Sequence, residues 1–233
     1  MVQLKLPQHP PKVLVFSDFD GTITTQDTGT LLIDHCMGYE NRRALDVQIL
    51  DGTLSFRSAV AEMWNSVDLN WEEALRLLKD VKIDLGFEEF HHFCNIQRIP
   101  LVVLSSGLSP LVKMFLQGYA ENNDLMEILA NDVIISRTGD TSKWEIVYRD
   151  ESSHGHDKSL AIKAAKEQYT SNPPLIVFAG DGVSDISAAR EADIVFAKKG
   201  KDLEKWCIRE SVDYIPWEDF RTILHVVKAK ISA

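Results

Sequence analysis

A chain of 233 residues has room for one large domain, or for a core domain carrying a smaller inserted one. Apolar residues at 45% and charged residues at 26% match ordinary globular usage, so a substantial buried core is available. The formal net charge of −10 argues against wrapping nucleic acid, which needs a basic face, yet a metal and a few local cations can still reverse the field inside a phosphate-binding cleft.

Cys36, Cys94 and Cys207 fit no metal-ligand spacing and read as small buried hydrophobes in a reducing compartment. No apolar run approaches membrane-spanning length, and MVQLKLPQHPPK lacks a signal-peptide apolar segment. The expectation is a soluble cytoplasmic protein, with the nucleus left open, without nucleic-acid or membrane partners, and either monomer or homodimer.

In chain order, residues 1–11 are polar and proline-rich and read as a loose tail. Lys12–Asp20 then holds the apolar run Val13 to Phe16 ending at acidic residues, the pattern of a central parallel strand covered on both faces. Pro100–Leu104 running into Ser105-Ser106-Gly107, Leu175–Ala179 into GDG, and Asp193–Ala197 into KKG repeat it. Amphipathic stretches between them predict an α/β fold, a Rossmann-like doubly wound parallel sheet, with ligands at the carboxyl ends of the strands.

The first two runs are separated by far more chain than a βαβ crossover needs. Helical spacing at Leu31, Leu32 and His35, at Leu45, Ile49 and Leu50, at Phe56, Val60 and Met63-Trp64, and at Leu75 and Leu78 predicts a small helical cap over residues 25–86. Residues 1–24 and 87–233 would then form the catalytic core, with Gly86–Gln97 as the crossover helix. Val133–Ile135 and Trp144–Tyr148 flank SRTGDTSK and predict a hairpin turning at Thr138–Thr141.

Four local patterns carry chemistry. In Asp18-Phe19-Asp20-Gly21-Thr22, residues i and i+2 face one way, so two carboxylates converge beyond a strand end. Such a pair requires a cation or a proton between its charges, which suits one ionised nucleophile and one proton-carrying acid. An acidic turn with aspartate as a helix cap fits the same residues. Gly180-Asp181-Gly182-Val183-Ser184-Asp185 follows another buried strand and offers hard oxygen ligands suited to Mg2+, or else a capped turn before a helix at Ile186–Glu191. Ser105-Ser106-Gly107, with Pro110 near the next helix start, offers a hydroxyl and backbone N–H groups for phosphate. Lys158, before the helical run Leu160–Tyr169, would by itself be a solvated charge; the other three patterns leave a cation's role for it. His91-His92 and the His154/His156 pair read as surface or loop-fixing groups, and the tryptophans as packing residues, Trp64 alone being kept as a possible stacking platform.

Taken together and in order, these patterns resemble the four motifs of the haloacid-dehalogenase superfamily phosphatases, in the phosphoserine-phosphatase-like subgroup with a helical cap. The resemblance spans residues 12–200. It implies that Asp18 attacks phosphorus to form an aspartyl-phosphate, and that Asp20 protonates the leaving alcohol and then activates water. It implies Mg2+ held by Asp18, the Asp20 backbone carbonyl and Asp181, with Asp185 orienting that shell. Ser105 and Lys158 would clamp the phosphoryl group, and Thr22, Asp27, Ser106 and Gly107 are expected to bind substrate.

Asp27 stands where phosphoserine phosphatases place an acid that reads the substrate ammonium. Their carboxylate-reading cap arginine is replaced by Ala61, and the nearby Arg57 is out of phase. A buried carboxylate without a partner is penalised, which disfavours phosphoserine. DFDGTITTQD and FAKKGKDL…IPWEDF resemble methionine-salvage phosphatases that act on a methylthiopentenyl phosphate. IVYRDESSHGHDKS, GDGVSDISAA and FAKKGKDL resemble fungal sugar-alcohol phosphatases, implying linear polyol phosphates such as sorbitol 6-phosphate or ribitol 5-phosphate. A phosphotransferase or mutase, and a non-catalytic phosphometabolite-binding scaffold, are the further alternatives.

Overall fold

The computed structural model describes residues 4–121, 123–139 and 141–232. Among these residues, seven strands form one sheet: β1 (Val13–Ser17), β2 (Leu101–Leu108), β3 (Met126–Thr138), β4 (Thr141–Val147), β5 (Leu175–Gly180), β6 (Ile194–Lys198) and β7 (Ile215–Trp217). Their order is β4-β3-β2-β1-β5-β6-β7, with every pairing parallel except the β3–β4 hairpin. β1 is central, with Val15 opposite Leu101 on one side and Val177 on the other.

The continuous apolar run of β1 is explained by cover on both faces. Val13 and Val15 point to one side, where α5 (Phe87–Ile96) and α11 (Phe220–Ser232) supply Phe87, Phe90 and Phe220. Leu14 and Phe16 point to the other, against Ala161 and Ile162 of α8 (Ser159–Gln168), Ala188 of α9 (Ile186–Ala189) and Leu203 of α10 (Asp202–Glu210). Burying one such side chain as fully as Phe16 contributes about 2–3 kcal/mol.

Four helices follow β1 before α5: α1 (Thr28–Met37), α2 (Tyr39–Leu50), α3 (Phe56–Asn65) and α4 (Trp71–Leu78). Three of the four starts are legible in the chain, while α2 starts after Gly38 without a side-chain cap. Asp27 caps α1 through Thr30 N, Ser55 caps α3, and Asn70 with Glu73 forms a capping box on α4. Where the chain leaves and rejoins the sheet, Thr24 bridges Ile83, Thr25 N donates to the Lys82 carbonyl, and Asp84 N donates to the Ile23 carbonyl. The four helices share an apolar cluster with the hairpin: Leu32, Met63, Trp64 and Leu78 pack with Trp144 and Ile146 of β4. Trp144 Nε1 donates to the Leu69 carbonyl at 2.7 Å.

Three expectations need correcting. The N-terminal segment is not loose where described. Leu4 and Leu6 pack on the core, Tyr169 Oη donates to the Pro7 carbonyl at 2.5 Å, and Lys5 N donates to Glu127. The second strand does not stop at Leu104. It continues to Leu108 through an irregularity, since both Ser105 and Leu108 pair with β3. The hairpin's first strand is also longer than expected, because the Met126–Asn131 half of β3 pairs in parallel with β2. Thr138 faces Thr141 across the turn, of which Asp140 lies outside the described residues. Two short helices, α6 (Ser109–Phe115) and α7 (Gln117–Ala120), connect β2 to β3.

Candidate active site

β1 delivers Asp18 directly, since Asp18 N donates to the Ala179 carbonyl at 2.8 Å and prolongs the ladder by one residue. The chain then turns at Gly21, whose φ of +76° suits glycine. A Cβ there would also sit 2.5 Å from Asp181 Oδ2, so the missing side chain lets two strand-end loops meet. Lys198 Nζ fastens the turn by donating to the Gly21 carbonyl at 2.6 Å.

The two carboxylates of this turn have different surroundings. Asp18 is buried, and its Oδ1 accepts from Lys158 Nζ at 2.5 Å. Burial and the neighbouring Asp185 push its pKa up, while Lys158 opposes them, leaving it near 7. Asp20 has no such cation. Its Oδ1 accepts from Thr28 N at 2.8 Å and Thr28 Oγ1 at 2.6 Å. Burial, then the charge of Asp27, raise its pKa to about 8 despite those bonds.

Lys158 is wholly buried rather than solvated, and lies between Asp18 and Asp185. Burial disfavours its charge, but the two carboxylates outweigh that and hold its pKa above the ordinary lysine value. Asp185 is fixed from both oxygens. Oδ1 accepts from Lys158 at 2.7 Å, and Oδ2 from Asp181 N and Gly182 N, both at 2.9 Å. Asp181, freer, has Lys201 Nζ at 3.9 Å, and burial with the charges of Asp18 and Asp185 raises its pKa to about 8. Carboxylate oxygens of Asp18, Asp181 and Asp185 lie within 4.8 Å of one another. An all-oxygen, mostly buried set with excess negative charge fits a hard divalent cation.

The irregularity in β2 shapes the next wall. Ser105 and Leu108 stay in the ladder, and Ser106 and Gly107 line a cavity. Asn131 Nδ2 donates to the Ser106 carbonyl at 2.8 Å, and His156 Nδ1 donates to the Ser105 carbonyl at 2.8 Å. Burial, with Lys158 nearby, lowers the His156 pKa to about 4, so its ring is neutral and fixes a loop, as expected of it. Ser105 Oγ accepts from Gly107 N at 2.9 Å. A Cβ on Gly107 would lie 2.6 Å from Asp20 Oδ2. Among the described residues Ser106 Oγ has no hydrogen-bond partner. Thr22 is buried, does not line the cavity, and its Oγ1 is likewise unpartnered.

The cavity, about 280 Å³, has Asp18, Asp20 and Asp181 on its floor. Asp27 before α1, with Arg42 and Asp46 of α2, adds a polar part of the lining, and Ile33, Phe56, Val60, Met63 and Trp64 an apolar part. Trp64 lies flat on Trp144, with ring centres 6.0 Å apart, so it both packs and lines the cavity. Arg57 points elsewhere, donating to the carbonyls of Asp150 and Ser152.

Sequence reasoning missed Thr28, Arg42, Asn131 and Lys198. A hydroxyl at a helix start and a polar residue inside ILAND were available signals for Thr28 and Asn131. Arg42, in the polar run ENRR, gave none.

The profile of the haloacid dehalogenase-like hydrolases matches residues 15–190. The chain belongs to that family. Pdp3-interacting factor 1 of Schizosaccharomyces pombe is 45% identical over 216 residues, covering 91% of this chain and 93% of its own. The polyol phosphate phosphatase PYP1 of Saccharomyces cerevisiae is 36% identical over 231 residues, covering 95% of each chain. A 2-hydroxy-3-keto-5-methylthiopentenyl-1-phosphate phosphatase of Bacillus cytotoxicus is 27% identical, covering 94% of this chain and 99% of its own. A substrate-bound phosphoserine phosphatase structure superposes with a TM-score of 0.70 at 20% identity, covering 94% and 99%, which establishes the fold. Within its family the chain is a phosphoric monoester hydrolase. Among the described residues no helix is long and apolar enough to cross a membrane.

Proposed function

We propose that the chain hydrolyses phosphate monoesters of small linear sugar alcohols through an aspartyl-phosphate on Asp18. The observation that carries the reading is the buried Asp18–Lys158–Asp185 ion cluster, of which Asp18 reaches the cavity. Lys158 keeps Asp18 oriented and offsets charge beside it. An Asp18 carboxylate oxygen attacks phosphorus, the bond from phosphorus to the leaving oxygen breaks, and protonated Asp20 delivers its proton to that oxygen. Ionised Asp20 then takes a proton from water as the water oxygen attacks phosphorus, releasing phosphate and restoring both acids. Burial and Asp27 favour the protonated form of Asp20 that the first step needs.

Asp18, Asp181 and the Asp20 carbonyl would hold Mg2+, with Asp185 orienting Asp181 through its backbone N–H. The cation would supply charge neutralisation for the phosphoryl group. Thr28 holds Asp20 Oδ1, and Ser106 and Gly107 line the cavity beside Asp20.

The polyol assignment is supported by the polyol phosphate phosphatase at 36% identity and by the mixed acidic and basic lining that shares the cavity with Asp18. The apolar patch with Met63 and Trp64 favours a second reading, a phosphate ester with a thioether tail, in line with the methylthiopentenyl phosphate relative. Ranking polyol phosphates, sugar phosphates, phosphoserine and a methylthio-substituted phosphate by kcat/KM separates the two. Activity should require divalent metal and vanish in Asp18→Asn. A folded Asp18→Asn protein with full activity would refute the covalent route.

A further inference from the structure

Among the described residues Arg42 is the one cation lining the cavity, and it is already occupied. Its Nε and Nη2 face the two oxygens of Asp34 at 2.5 and 3.1 Å, and Nη1 donates to Asp46 Oδ2 at 2.8 Å. Arg43 adds a second bond to the same Asp46 oxygen at 2.9 Å. The Arg42 side chain is 13% exposed and those of Asp34 and Asp46 26%, so the clamp is partly buried with one side open to water. Asp27 stands on the same wall and contributes to holding the guanidinium charged. One partly buried cation thus answers to three acids.

Such a group cannot act as a carboxylate receptor. An incoming carboxylate could reach only the two remaining N–H groups of a guanidinium whose charge Asp34 and Asp46 already offset, and it would be repelled by Asp46 and Asp27 on the same wall. A hydroxyl has no such penalty. It can donate to Asp46 or Asp27 and accept from the two guanidinium N–H groups that the three bonds leave over. We propose that the Asp34–Arg42–Asp46 clamp is the specificity-determining reader of the leaving group, accepting neutral polyhydroxyl chains and rejecting carboxylated ones. The inference rests on the phosphatase reading above and names residues that it leaves open.

The test pairs esters that differ only at the far end, CH2OH against carboxylate, at three lengths: erythritol 4-phosphate with 4-phosphoerythronate, ribitol 5-phosphate with 5-phosphoribonate, and sorbitol 6-phosphate with 6-phosphogluconate. The readout is the acid-to-alcohol ratio of kcat/KM within each protein. The wild type should favour the alcohol. Asp46→Asn and Asp34→Asn, isosteric and each one negative charge poorer, should raise the ratio by about tenfold at one length or more, the effect of one charge roughly 6 Å away in a half-wet cleft. Arg42→Met should lower kcat/KM for the alcohol. Thermal melts identify variants that fail to fold; Asp46→Asn, at the cavity edge, decides the matter if Arg42→Met does. Ratios within twofold of wild type at every length in both asparagine variants would overturn the inference while leaving the phosphatase reading intact. Failure of the wild type to hydrolyse any ester, p-nitrophenyl phosphate included, would overturn both.

Discussion

Arg57→Met is expected to lower both stability and kcat/KM, because Arg57 ties α3 to the segment that carries His156 and Lys158. Its Nη1 donates to the carbonyls of Asp150 at 2.7 Å and Ser152 at 3.0 Å. The guanidinium lies 4.2 Å from the Tyr148 ring centre, and Tyr148 Oη donates back to the Arg57 carbonyl at 2.7 Å. Glu151, 3.6 Å away, is 98% exposed and adds little. Two charged hydrogen bonds at the low end of about 1.5 kcal/mol each, plus about 0.5 kcal/mol from the ring, give about 3.5 kcal/mol. Ordering a long side chain that is still 29% exposed offsets about 1.5 kcal/mol of this, leaving about 2 kcal/mol. Methionine retains the stem's packing and removes only the head group. Urea melts should show the loss in stability. If the segment must be ordered at each turnover, the same energy caps the fall in kcat/KM at about 30-fold. A double-mutant cycle with Tyr148→Leu, which removes the ring under the guanidinium, should give a coupling of about 0.5 kcal/mol. An Arg57→Met protein that melts with the wild type and keeps kcat/KM within twofold would refute the reasoning.

Gly21→Ala places a side chain at φ +76° and 2.5 Å from Asp181 Oδ2; a stability loss of about 2 kcal/mol and weaker metal activation are expected from melts and Mg2+ titration of activity. His156 has a folded pKa near 4 against an ordinary 6.5, so the unfolded chain gains its proton first as pH falls. Stability from this group is complete above pH 6.5 and is lost toward pH 4, by about 3 kcal/mol. His156→Asn, which keeps a donor near the Nδ1 position, should flatten that part of the wild-type pH–stability curve, and parallel curves would sink the assignment. Millimolar Mg2+ should raise the melting temperature, by about 2.7 kcal/mol of stability at a hundredfold excess over Kd, and Asp181→Asn should remove most of that shift.

What the sequence revealed follows from how local each signal is. β1, β2, β5 and β6 are buried on both faces, so each writes a continuous apolar run that is read without knowing its partners. β3 changes partners midway, from parallel with β2 to antiparallel with β4, and its outer half is exposed; the residues MEILANDV therefore lack one period. β7 has three residues including Pro216, too few for any pattern. The same division holds at the site. Asp18, Asp20, Asp181 and Asp185 sit two to four residues apart within strand-end turns, so spacing exposes them. Arg42 matters only because Asp34 and Asp46 meet it across two helices, and Asn131 only because β3 brings it under Ser106. Those are facts of packing.

The proposed division of labour between Asp18 and Asp20 follows from their neighbours rather than from their chemistry, which is identical. Burial and Asp185 raise the Asp18 pKa, but the ammonium of Lys158 holds it near 7 and so favours the ionised form a nucleophile needs. Asp20, two residues on, receives bonds only from the neutral Thr28 and faces the negative Asp27, which favours the protonated form an acid catalyst needs. Asp27 therefore has a role even if it never touches substrate. It caps α1, and its charge biases Asp20. Asp27→Asn keeps the cap to Thr30 N through its amide oxygen while removing that charge. It should lower the share of protonated Asp20, and so reduce kcat most for esters with poor leaving groups and least for p-nitrophenyl phosphate, whose leaving group needs no proton. Equal losses on both kinds of ester would instead mark Asp27 as a substrate contact.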